Sequence, residues 1–256
     1  MPQFIKIRGA YFNNPALPVL TDLGEAVAAL PGLAGWVNAN ENNYYTDGSG
    51  YLTLRDLSTA GIDFNRGPGN SRDATIVPNG LNGYPVLRFS GASGDRDGFK
   101  RSVSDLPVGA SAEFTFAVVA KVTDVSGNRN VMATAATSTG AAIYTVSGGG
   151  SGRMGIVGGT AETDLNNGGW NILIGSITGG RTTKMLDALG LSSVTTGVGS
   201  ADNADATLYL GQNSAGTGFM VGDIAEAIYT TSDLLSPSNS TNLANLINYF
   251  RTKYAL

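Results

Sequence analysis

Neither histidine nor cysteine occurs among the 256 residues. Without cysteine there is no disulfide, no thiolate nucleophile and no zinc ribbon. Without histidine there is no Ser-His-Asp triad, no imidazole base and no imidazole metal ligand. Charge is scarce as well: Asp, Glu, Lys and Arg make up 14% of the chain, against about a quarter in an average protein. The net charge of −4 supplies no cationic field for a phosphate backbone, so nucleic acid is not an expected partner. No run approaches the roughly 18 apolar residues of a membrane-spanning helix, and no membrane insertion is expected. The opening Met1-Pro2-Gln3-Phe4-Ile5-Lys6 lacks an apolar signal core, which points to synthesis in a host cytoplasm.

What is present is 42% hydrophobic, with 36 glycines. That is enough apolar material for one large core. With so few charges, the polar surface must come from Ser, Thr and Asn, which suits a turn-rich β protein.

Residues 1–20 read as an amino-terminal arm, and residues 21–256 as the domain. In the arm, Phe4, Ile5, Ile7, Tyr11 and Phe12 crowd large apolar side chains into a segment too short to bury them. They call for a partner surface, either an edge of their own sandwich or, by strand addition, a neighbouring subunit or the shell beneath. Thr21-Asp22 is placed to cap a short helix over Leu23 to Leu30, stopped by Pro31-Gly32. From Trp36 to about Tyr84 the text is loop-like, with room for short strands only.

Beyond Tyr84 the strand signal is steady. Candidates are Val86–Phe89, Phe114–Ala120, Val131–Ala135, Ala142–Val146, Arg153–Val157, Trp170–Ile177, Thr182–Leu186, Thr207–Leu210 and Phe219–Tyr229. Turn residues rather than helices separate them, which indicates an antiparallel sandwich or barrel. The period then changes: Leu243, Leu246, Ile247, Phe250 and Tyr254 fall on one helical face, with Ser240 or Thr241 as the expected cap. That face reads as core.

The order of these segments resembles the concanavalin A-like lectin/glucanase superfamily, in its laminin-G-like branch. The residues that carry the likeness are Leu30-Pro31-Gly32-Leu33-Ala34-Gly35-Trp36, then Pro85-Val86-Leu87-Arg88-Phe89-Ser90-Gly91 after the turn Asn82-Gly83-Tyr84, then Phe114 to Val122. They end with Leu210-Gly211 through Phe219, Gly222 to Tyr229, Leu234-Leu235-Ser236 and the terminal helix with its Lys-Tyr. The resemblance implies an all-β jelly-roll sandwich of two antiparallel sheets. Its members include glucanases, lectins, adhesion modules and virion proteins, so the fold leaves function open.

Each motif with the pattern of a chemical site has a structural counter-reading. Gly150-Ser151-Gly152-Arg153-Met154-Gly155 matches a dinucleotide fingerprint, but no helix follows, so a hairpin turn is expected. Gly175 to Thr182 is close to a phosphate loop but runs on as strand, and reads as another turn. Glu162-Thr163-Asp164-Leu165-Asn166 does not complete a hydrolase site: the glucanases carry a third carboxylate where Asn166 stands, and flanking glycines make the stretch loop-like. No catalytic residue is therefore assigned. Tyr44 and Tyr45, with Asn40 and Asn43, are the candidate sugar contacts, aromatic faces beside amide hydrogen-bonding groups. Asp95 and Asp97 are candidate calcium ligands, with Asp202-Asn203-Ala204-Asp205 a second oxygen cluster. Relatives of the laminin-G-like type bind calcium at a sheet rim; no other cofactor is expected.

These readings favour a non-enzymatic virion structural protein, a phage capsid decoration, tail or fibre component, with a lectin-like domain for surface glycans. Its expected partners are other virion proteins or its own copies in a homo-oligomer. The alternatives are a carbohydrate-binding or adhesion module, extracellular or on a bacterial surface, and a degenerate glycoside hydrolase.

Overall fold

A computed structural model of the chain describes residues 23–67, 73–91, 97–134, 140–145, 150–156, 158–190, 193–216 and 218–256. In chain order these form α1 (Leu23–Ala28), β1 (Leu33–Asn38), β2 (Tyr44–Thr46), β3 (Leu52–Leu54), β4 (Phe64–Arg66), β5 (Thr75–Leu81), β6 (Tyr84–Phe89), β7 (Phe99–Ser104) and β8 (Phe114–Val122). There follow β9 (Arg129–Ala133), β10 (Ala142–Thr145), β11 (Ser151–Ile156), β12 (Gly159–Asp164), β13 (Trp170–Thr178) and β14 (Thr182–Asp187). The last elements are β15 (Thr195–Val198), β16 (Thr207–Leu210), β17 (Gly222–Thr230) and α2 (Ser240–Tyr254).

The strands make two antiparallel sheets, a jelly-roll sandwich. Sheet A runs β15-β14-β13-β8-β17-β6-β5, and sheet B runs β12-β11-β10-β9-β16-β7-β4-β3-β2. β1 and β6 divide one edge of β17 between them. Asp223 and Ile224 lie against β6, whereas Glu226 to Thr230 lie against β1.

Alternation along β8 explains the layering. Phe114, Phe116, Val118, Ala120 and Val122 point between the sheets into the main core. Ala117 and Val119 point the other way, into a second apolar layer with Ile172, Ile174, Ala225 and Ile228. A strand buried on both faces reads as a continuous apolar run, which is how β8 looks in the sequence. The cover over this outer face is α1 and α2. Leu246, Tyr249, Phe250 and Tyr254 of α2 are buried, at the three- and four-residue spacing of one helical face.

Several expectations need correction. The stretch between Trp36 and Tyr84, expected to be loop-like with short strands plausible inside it, holds the end of β1, the short β2, β3 and β4, and also the seven-residue β5. Three of these are only three residues long, too short for a period to show. The glycine-rich stretch from Gly150 is not a turn: β11 occupies it, paired with β10 and β12. Glycine serves there by its size, since a Cβ on Gly155 would stand 2.5 Å from the Tyr144 ring. The Glu162 to Asp164 segment is likewise strand, the edge strand β12. Asn239, not Ser240 or Thr241, is the α2 N-cap residue, and it makes no capping bond; its Nδ2 instead donates to the Asp233 carbonyl oxygen at 2.8 Å. The hairpin expected near Gly175 to Thr182 is present as Gly179-Gly180-Arg181, joining β13 to β14. The arm residues Phe4, Ile5, Ile7, Tyr11 and Phe12, and the cap Thr21-Asp22, lie outside the described residues.

Candidate functional site

The helices do not cover the whole outer face of sheet A. At the end where β8 and β13 meet the β12–β13 loop, a different set of side chains appears. Trp170 opens β13 and pairs in register with Lys121 of β8. Its indole is half-buried and packs at the margin of the helix-covered apolar layer.

Asn171, fully buried, shapes the loop that presents this tryptophan. Its Oδ1 accepts from the Asn166 amide at 2.8 Å, and its Nδ2 donates to the carbonyls of Asn166 at 3.2 Å and Gly169 at 3.1 Å. Gly168, at φ 75°, takes the left-handed turn that this compact loop requires. Its amide donates to the Val122 carbonyl at 2.8 Å, tying the loop to β8.

Between this loop and the β14 end lies a cavity of about 570 Å³ lined by Asp164, Asn166, Trp170, Asp187 and Leu189. Asp164 and Asn166 are exposed, while Asp187 is 3% exposed. Burial pushes the Asp187 carboxyl above its ordinary range, against hydrogen bonds from the backbone of Leu189, Ile172 and Gly190. A flat apolar ring beside carboxylate and amide groups suits a polyhydroxyl ligand: the ring takes a face of carbon and hydrogen, the polar groups take hydroxyls.

A second cavity of about 400 Å³ lies further along the same sheet end, lined by Asp73, Arg88, Asp97, Lys121 and Asp223 among others. Burial also pushes the Asp97 carboxyl up, while hydrogen bonds from Ser90 and Gly91 oppose the shift.

The candidate sugar contacts lie elsewhere. Tyr44 and Tyr45 sit on β2, at the edge of sheet B, and line neither cavity. Tyr44 packs against the main core. Tyr45 donates to Asp63 Oδ2 at 3.1 Å, and the Arg55 guanidinium stands 5.2 Å from its ring centre. Asn40 and Asn43 serve a local turn: the Asn40 amide and Asn43 Nδ2 both donate to Asn38 Oδ1, at 3.1 and 2.7 Å.

Of the candidate calcium ligands, Asp97 lines the second cavity and Asp95 lies outside the described residues. Calcium takes six to eight oxygens, yet no group of three or more acidic side chains among the described residues is placed to hold a metal. In the other cluster, Asp202 is paired with Arg181 at 2.6 Å and Asn203 is buried, donating to the carbonyls of Pro107 and Asp205. Glu162 is held by Arg153 at 2.7 Å.

Sequence reasoning misses Trp170, because in the chain it stands as the first residue of a core strand. The Asn166 to Gly169 loop just before it is the available signal.

No protein-family model matches the chain, and no curated protein matches it. Solved structures do. The ligand-binding domain of botulinum neurotoxin serotype D, in complex with N-acetylneuraminic acid, is 10% identical with a TM-score of 0.54, covering 84% of this chain and 50% of that one. The binding domain of botulinum neurotoxin DC, in complex with SialylT, is 9% identical with a TM-score of 0.57, covering 85% and 51%. The serotype G binding domain is 7% identical with a TM-score of 0.53, covering 83% and 51%. At such identities the likeness is one of fold, and this chain spans about half the length of each domain.

Proposed function

We propose that this chain is a non-enzymatic glycan-binding module carried on a virion structural protein, a phage capsid decoration, tail or fibre component. The observation that carries the glycan reading is the half-buried Trp170 indole beside Asp164, Asn166 and Asp187 in one open cavity. The neurotoxin domains of similar fold, solved with N-acetylneuraminic acid and SialylT, support the same ligand class. Two features support a role without catalysis. Position 166 carries an amide where retaining hydrolysis needs a carboxyl group, and Asp187 is committed to backbone amides. Placement in a particle draws on a composition free of Cys and His and poor in charge, with residues 1–20 as a tether to the particle or to a second copy.

An array of neutral and sialylated oligosaccharides tests the binding. Trp170→Ala should weaken the bound members at least tenfold, about 1.4 kcal/mol, with Trp170→Phe recovering part of it and the thermal midpoint of both variants near that of the parent. An array with no binder to the folded protein overturns the glycan reading. Mass spectrometry of purified particles tests the virion placement, and deletion of residues 1–20 tests the tether.

A further inference from the structure

The second cavity is lined by two aspartates, each with one oxygen that has no donor among the described residues. Asp97 is 2% exposed. Its Oδ2 accepts from the Ser90 amide at 2.6 Å and the Gly91 amide also acts on the carboxyl, while its Oδ1 is buried with no hydrogen-bond partner among the described residues. Asp73 repeats the pattern: Oδ2 accepts from the Leu52 amide at 2.9 Å, and Oδ1 is buried and unpartnered. Buried polar atoms are nearly always hydrogen-bonded, and an orphaned one is costly. Both residues line one cavity, so a ligand there is placed beside two carboxylates whose Oδ1 atoms have no donor among the described residues.

The same cavity also carries cations. Arg88 and Asp223 form a two-point pair, Nε to Oδ1 at 2.7 Å and Nη2 to Oδ2 at 3.0 Å, yet the Arg88 side chain stays 53% exposed. Lys121 stands beside Asp223 in register. Three carboxylates, of Asp73, Asp97 and Asp223, share the cavity with these two cations, so it offers both acceptors and donors. A hydroxyl donates to a carboxylate and accepts from a guanidinium or ammonium, so it serves both kinds of neighbour.

Strand register sets this cavity in line with the tryptophan cavity. Thr75 pairs with Arg88, Arg88 with Asp223, Asp223 with Lys121, and Lys121 with Trp170. Directly paired residues share a face of the sheet. The row therefore crosses β5, β6, β17, β8 and β13 on the outer face, past the apolar layer beneath α2. Four inter-strand steps of about 4.8 Å give a span of about 19 Å.

We infer that the two cavities are the ends of one groove for a linear oligosaccharide, its hydroxyls donating to Asp97 and Asp73 at one end and a ring stacking on Trp170 at the other. The inference rests on the glycan reading above and adds length and polarity to it. The test is titration calorimetry of the whole chain with the best-bound array sugar, as a series from one to six units. Affinity should rise at least tenfold between two and four units. Asp97→Asn and, in the middle of the row, Lys121→Gln should each remove that rise while leaving the one- and two-unit affinities within about twofold. A flat series, or a rise that both variants preserve, overturns the groove while the Trp170 site stands. Failure of every sugar to bind the folded chain overturns the glycan reading and the groove with it. Calcium chloride alone raising the thermal midpoint, with Asp97→Asn abolishing the rise, assigns the cavity to a cation and overturns the hydroxyl assignment.

Discussion

Glu226 of β17 and Lys253 of α2 meet 2.8 Å apart where both side chains are almost wholly enclosed, 0% and 9% exposed. The Glu226 carboxylate also accepts from Tyr249 Oη at 2.7 Å, from Tyr254 Oη at 2.8 Å and from the Trp36 indole nitrogen. One charge thus joins β1, β17 and α2. Burial and this neighbouring carboxylate push the Tyr254 hydroxyl well above its ordinary range, so it stays a donor.

Removing one partner of a buried pair leaves an uncompensated charge, at a cost of about 3–5 kcal/mol. Lys253→Met should lower the unfolding free energy by that order in urea titration. The double variant Lys253→Met with Glu226→Gln should cost less than the two single losses added together, because neither charge is then stranded. Strict additivity would show that the pair is not coupled.

Phe250 is 0% exposed beneath sheet A. Phe250→Ala should cost about 3–5 kcal/mol, the usual range for emptying a buried aromatic position. A loss under about 1 kcal/mol would mean that α2 contributes little to closing the outer layer.

How legible was this in the sequence? The terminal helix was clear, because Leu246, Phe250 and Tyr254 repeat with helical spacing and all three are buried. β8 was equally clear as a long apolar run, and β17 was legible as strand although it carries Asp223 and Glu226 and begins at Gly222 rather than Phe219. β2, β3 and β4 were not, since three residues carry no period and their pairing is decided by distant partners. β12 was hidden by its glycine neighbours. Asp97 was visible as an acidic turn residue, but its orphaned oxygen depends on a cavity built from β5, β6, β8 and β17. Tyr44 and Tyr45 were legible from local composition alone, as aromatic residues beside Asn40 and Asn43. The cavity at Trp170 joins a loop, a strand start and the end of β14, which no local window contains.

Asp233, 2% exposed, makes a second prediction about charge. Burial disfavours its ionised form, but hydrogen bonds from Lys184, Thr178 and Ser176 outweigh that and hold its carboxyl below the ordinary range. Lys184 is the cation against its carboxylate, and the Glu113 side chain accepts from its backbone amide at 3.0 Å. The unfolded chain therefore binds a proton at Asp233 more readily than the folded one. The stability from this site is fully present above the unfolded carboxylate pKa, near 3.9, and is lost as pH falls through the lower folded value. Asp233→Asn should cost about 3 kcal/mol at pH 7, and the gap between parent and variant should narrow below pH 4. A gap constant from pH 7 to pH 3 would show that ionisation of Asp233 plays no part.

Catalysis is the sharpest rival to simple binding, because Asp164 and Asp187 line one cavity beside Trp170. A retaining hydrolase needs one carboxyl group free to attack and another free to exchange a proton. Asp187 is not free in that sense: its Oδ1 accepts from the Leu189 amide at 3.1 Å, and backbone groups of Ile172 and Gly190 also hold it. Glu162, the other acid of the β12 segment, is paired with Arg153 on the face of sheet B. Any sugar that binds should therefore be recovered intact after prolonged incubation, with no reducing ends released. Asp164→Asn should shift affinity by no more than the loss of one hydrogen bond, about 0.5–1.5 kcal/mol. Release of reducing ends from a bound oligosaccharide, abolished by Asp164→Asn or Asp187→Asn with the fold intact, would make the cavity an active site and end the non-enzyme reading.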